Sequence, residues 1–152
     1  MDITKIVQEI QYVLSPAVMV SSSALLLLGF QTKFSNLASR FRALNHEKRV
    51  LSQKERRDAS EDDRLISLNS QVHNLMRRAS FVKNAIVLTY LAIVSFAGTS
   101  VLIFLNIYSL FQLTHLMIIW FLLGLLLIFA SAILMILETN LFYKVISLER
   151  RS

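Results

Sequence analysis

The chain has 152 residues, 55% of them hydrophobic and 17% charged, with 16 Lys and Arg against 10 Asp and Glu and no Cys. About a quarter of a soluble domain is charged, so a soluble single domain is excluded. The missing Cys excludes a disulfide-stapled fold, a thiolate metal site and a thiol nucleophile. The apolar excess lies in three blocks without a charged residue, 14–30, 85–108 and 113–137. Each is about long enough to cross a hydrocarbon core as a helix. The expected fold class is an all-α integral membrane protein with three transmembrane helices.

Residues 1–13 come first. Ile3, Ile6, Val7, Ile10 and Leu14 fall at helical spacing, and Asp2 is placed to cap them. The pattern predicts an amphipathic N-terminal helix in the outer interface, or a plain lead-in to the first span. A cleaved signal is not expected, because Lys5 is balanced by Asp2 and Glu9 and no small-residue cleavage pattern follows. Residues 14–30 form the first predicted span, with Pro16 near its start, where a missing N–H costs least. Along it Gln11, Ser15, Ser22 and Gly29 step by 4, 7 and 7, which makes one narrow face of polar or small residues.

Residues 31–84 read as helix rather than loop. Phe34, Leu37, Phe41 and Leu44 step by 3, 4 and 3, and Leu51 rejoins their stripe after Lys48 interrupts it. Leu65, Leu68, Val72, Leu75, Ala79 and Val82 step by 3, 4, 3, 4 and 3. This is the seam of helices packed side by side. The break falls near 58–62, with Ser60 as the expected N-cap and Asp63 three positions on. A long antiparallel helical hairpin is therefore expected between the first and second spans. Such a hairpin buries only a narrow seam, which favours covering the rest with further copies or with a cytoplasmic protein partner.

Charge sets the expected orientation. Residues 33–83 hold 12 Lys and Arg against 6 Asp and Glu, whereas the link from Ile107 to His115 has no Lys or Arg. The positive-inside rule puts the hairpin and the tail 138–152 in the cytoplasm and the N-terminus outside. Lys33, Arg40, Arg42, Arg77, Arg78, Lys83 and Lys144 would then meet anionic lipid headgroups, each worth roughly 1 kcal/mol near the surface. Nucleic acid is not an expected partner, since acidic and basic residues alternate along the hairpin.

In the second span, 85–108, Asn84, Ser95, Thr99 and Asn106 again share one face. Such weakly polar stripes have two uses, packing helices closely or lining a water-filled path. The third span, 113–137, is apolar around its circumference, and Gly124 and Ser131 would let another helix approach. Glu138 leaves the membrane end of that span, with Lys144 or a hairpin Arg as the natural partner in an interfacial ion pair. No charged residue lies within a span, so a proton relay or voltage sensor finds no support. Catalysis, a cofactor and a metal site are not expected. No catalytic or phosphate-loop motif is present, and His46, His73 and His115 read as solvated.

The order of parts resembles a widespread family of small bacterial three-span membrane proteins known only as a domain of unknown function. The resemblance is carried by Leu14-Ser15-Pro16-Ala17, Arg40-Phe41-Arg42-Ala43-Leu44 and Arg77-Arg78-Ala79-Ser80-Phe81-Val82-Lys83-Asn84-Ala85-Ile86. Asn36 and Ser39 depart from that family's basic run. The resemblance implies the three-span fold and the bacterial inner membrane, and supplies no activity. Two functions follow as expectations. One is a homo-oligomeric assembly forming a pore or transport path. The other is a membrane-anchored scaffold whose hairpin docks a partner.

Overall fold

The computed structural model describes residues 3–53, 58–108 and 114–149. They form three helices, α1 (Ile3–Ser52), α2 (Ala59–Tyr108) and α3 (Thr114–Glu149), each long and apolar enough to cross a membrane. The accessible surface is 11367 Å², against about 7,900 Å² for a compact chain of this mass. Much of the excess is apolar, with Leu25, Leu126 and Phe129 each at least two-thirds exposed. Exposed apolar side chains of that kind mark contact with lipid or with other protein. The three helices of the described residues have the length and composition of membrane spans.

Helix α1 is unbroken from Ile3, with residues 3–13 as its first turns. Pro16 is buried in the helix interior rather than in a first turn. It removes one donor, the one due to the carbonyl of Tyr12, and no neighbouring Gly or second Pro joins it in breaking the helix. The cap of α2 is Asp58, not Ser60. The Asp58 carbonyl accepts from the backbone N–H of Glu61 at 2.9 Å and of Asp62 at 3.2 Å. Asp caps as well as Ser, and this start puts Glu61 at the third position of a capping box. The expected cap Asp2 and the link at 109–113 lie outside the described residues.

Helix α2 is the central element, packed on α1 and on α3, which make little contact with each other. Its buried residues Val82, Ala85, Thr89, Ala92, Phe96, Thr99 and Ile103 step by 3 and 4. Against α1, Glu47 accepts from Arg64 at 3.0 Å, Lys48 donates to Asn69 at 2.8 Å and Gln31 donates to Tyr90 at 2.9 Å. Partner numbers rise along α2 from Lys48 back to Gln31, so the two helices run antiparallel. Lys48 interrupts the apolar stripe because a polar rung to Asn69 takes its place there. Leu68 is fully buried in this seam, while Val72 and Leu75 are half-buried. A carboxylate at 68 has no route to water, so Leu68→Asp is expected to cost on the order of 3 kcal/mol or more. Val72→Asp should cost less, because its carboxylate can turn outward. Tryptic cleavage at Arg49 and Arg64 of the purified protein reads the difference, and equal rates for the two variants would mean the seam does not pack.

Helices α2 and α3 interlock through small residues. Over residues 114–140 of α3 the buried positions are Gly124, Ser131 and Glu138, two heptads in a line. A Cβ at Gly124 would lie 2.6 Å from the Phe96 ring, and one at Gly98 would lie 3.0 Å from the Trp120 ring. Each helix thus supplies a glycine that seats an aromatic ring of the other. The Ser95 hydroxyl donates across the interface to the Trp120 carbonyl at 2.6 Å. In lipid, where apolar surface gains nothing by leaving its solvent, such close packing and hydrogen bonding hold helices together. The third helix meets its neighbour through the small residues its sequence singled out.

Candidate functional site

The polar row of α1 faces a groove. At its N-terminal end Gln11 and Ser15 line a cavity of about 260 Å³, together with Thr99 of α2 and Ile118 and Phe121 of α3. At its C-terminal end Lys33 continues the same helical line, four residues past Gly29, and reaches Glu138 and Thr139 of α3. Both ends of the row therefore look towards α3. Between them Ser22 and Gly29 are exposed, and a Cβ at Gly29 would meet nothing within 4 Å. Since α1 and α3 barely touch, the row runs along an open cleft between them, floored by α2.

The matching row of α2 has a different fate. Ser95 and Thr99 are buried, the first bonded to the Trp120 carbonyl and the second to the Ser95 carbonyl at 2.9 Å. Asn106 is half-buried and engaged, and Asn84 is exposed. Of the two uses open to such a stripe, Ser95 and Thr99 serve packing. Thr89, Ser100 and Ser131 likewise bond carbonyls of their own helices, which satisfies the hydroxyl without water.

All three helices meet at the Lys33 end of the cleft. Glu138 is fully buried, and its Oε1 accepts from Arg78 Nε at 3.0 Å and Nη2 at 2.8 Å. Its Oε2 pairs with Lys33, whose ammonium also donates to the Thr139 hydroxyl at 3.3 Å. A buried carboxylate persists only when paired, and here one helix supplies the anion and the other two the cations. Beside this cluster lies a cavity of about 450 Å³ lined by Lys33, Asn36, Leu37, Ser39, Arg40 and Arg78. Three cations face one carboxylate there.

The sequence named Lys144 or a hairpin Arg as partner for Glu138. The partner is Arg78, and Lys33 joins it. The sequence did carry a signal for this meeting. Lys33 lies 19 residues before the end of α1 at Ser52, and Arg78 lies 19 residues after the start of α2 at Ala59, so an antiparallel pair brings them level. Arg40, Arg42, Arg77 and Lys83 are exposed and open to headgroups, while the side chain of Lys144 lies outside the described residues. His46, His73 and His115 are exposed, and no three metal-ligating side chains converge among the described residues.

One protein-family model, described as a protein of unknown function (DUF2721), matches residues 13–148. No curated protein and no solved structure matches the chain.

Proposed function

We propose, from the premise that the chain belongs to the DUF2721 family of unknown function, that it is a non-enzymatic membrane protein whose copies assemble around α1 to form a pore or transport path. One observation carries this reading. Ser95 and Thr99 of the α2 row are closed within the chain, whereas Gln11, Ser15, Ser22 and Gly29 are left open in the α1 cleft. A polar row at membrane depth calls for cover by another copy or by water. The lining would come from α1, since Ser95 and Thr99 are committed to packing.

The proposed setting is the bacterial inner membrane, N-terminus outside and C-terminus cytoplasmic. The 12 Lys and Arg of residues 33–83 supply the support for that orientation. The polar half of α1 and α2 would then project as a cytoplasmic hairpin, continuing the path or docking a partner. Exposed Phe34 and Ile66 favour docking as the second reading.

A cysteine-free chain makes the test direct. Ser22→Cys should react with a small water-soluble thiol reagent in the assembled protein, because the reagent attacks a thiolate that forms in water and not in lipid. Leu26→Cys should stay silent. In intact cells Asn106→Cys should label from outside and Ser60→Cys only after the membrane is opened. A silent position 22 would remove the pore and leave the scaffold, and outside labelling at 60 would invert the topology.

A further inference from the structure

We infer that the inner cavity beside the Lys33–Glu138–Arg78 cluster binds a phosphate group, carried by a lipid headgroup or by a soluble phosphate. This stands apart from the pore reading and does not rest on it. The first ground is charge. Lys33, Arg40 and Arg78 face one carboxylate, and that carboxylate is fully buried behind the wall it organises. Among the described residues the wall carries three cations beside a single carboxylate, a surplus of positive charge suited to a phosphate. The second is preorganisation. Glu138 holds Lys33 and Arg78 from two different helices by short contacts, so the cations are already fixed when an anion arrives. The third is donor chemistry. Asn36 and Ser39 add an amide and a hydroxyl to the same wall, and charge-assisted bonds from Arg and Lys are the strong kind for phosphate oxygens.

Position favours the lipid source. The cluster sits at the end of the apolar stretch Thr114–Asn140, the depth at which headgroups begin. One turn away along α1, Gly29 opens on the cleft with nothing within 4 Å of its missing Cβ. An acyl chain can lie there while its phosphate occupies the cavity. A soluble phosphate would instead enter from the side of Asn36 and Arg40.

The experiment uses the full chain in detergent, with binding read by native mass spectrometry and thermal shift. Dioleoyl phosphatidic acid, dioleoyl phosphatidylcholine and inorganic phosphate are the three probes. Phosphatidic acid should be retained in preference to phosphatidylcholine. Arg40→Gln, outside the Glu138 ion pairs, should weaken its binding about tenfold, while the exposed Arg42→Gln leaves it unchanged. Both variants should melt with the wild type when no ligand is added. Competition by millimolar inorganic phosphate, or binding of inorganic phosphate alone, assigns the soluble source. Failure to compete assigns the lipid. Equal retention of both lipids without phosphate binding, or equal effects of the two Arg variants, overturns the site.

Discussion

Glu138→Ala is expected to lower stability by about 3 kcal/mol, the low end of the range for removing one partner of a buried ion pair. The low end applies because the Lys33 side chain is 36% exposed and can turn to water, whereas that of Arg78 is only 19% exposed. Loss of the carboxylate leaves two cations from α1 and α2 side by side at one end of the spans. Glu138→Gln keeps an acceptor and loses the charge, so it should fall between the wild type and the alanine variant. Arg78→Met combined with Glu138→Leu removes both charges of the tighter pair and should recover much of the loss, as apolar replacements of buried pairs do. Thermal unfolding of the purified protein gives the order. Added phosphate should stabilise Glu138→Ala less than the wild type, because Lys33 and Arg78 are no longer held in place for the anion. An alanine variant that melts with the wild type would mean that the three helices do not meet at this carboxylate.

How much of this was legible differs from residue to residue. The three apolar blocks and the 3-4 seam of α2 are composition and period, and they needed only the chain order to become helices. The inner cluster was legible in part. Glu138 at the end of an apolar block demands a cation, and the equal distances of Lys33 and Arg78 from the facing helix ends select two, once those ends are known. The seven-residue repeat of Gly124, Ser131 and Glu138 was also there to be read. It was masked because every other face of α3 is apolar too, so no amphipathic contrast marks it. The two polar rows could not be told apart by sequence. Both are small residues at helical spacing, and their fates diverge because α2 sits between two neighbours while α1 has one. Burial of Ser95 and exposure of Ser22 are consequences of that arrangement, which no window along the chain contains.

Gly124→Ala tests the interlock that sets the arrangement. The added Cβ would lie 2.6, 2.9 and 3.0 Å from three atoms of the Phe96 ring. That ring is fully buried and tilted against Phe121 at 5.6 Å, so it has nowhere to swing. Helix α3 must back away, which stretches the Ser95 bond to the Trp120 carbonyl. Overpacking of this kind costs about 1–3 kcal/mol, against about 1 kcal/mol gained from the better helix propensity of Ala. The expected net loss is on the order of 1 kcal/mol, and Gly124→Leu should lose considerably more. Gly98→Ala is the control. Its Cβ would touch the Trp120 ring at 3.0 Å, but that residue is 36% exposed and can yield, so propensity and crowding should nearly cancel. Phe96→Leu in the Gly124→Ala background should return part of the loss by clearing the ring. Because Glu138 lies two heptads along the same face as Gly124, a displaced α3 also draws the carboxylate away from Lys33 and Arg78. Gly124→Leu should therefore weaken phosphate binding at a cavity about 21 Å away along α3, while Gly98→Ala leaves it intact. Equal melting of the Gly124→Ala and Gly98→Ala variants would show that the two helices are not held at the distance this ring requires.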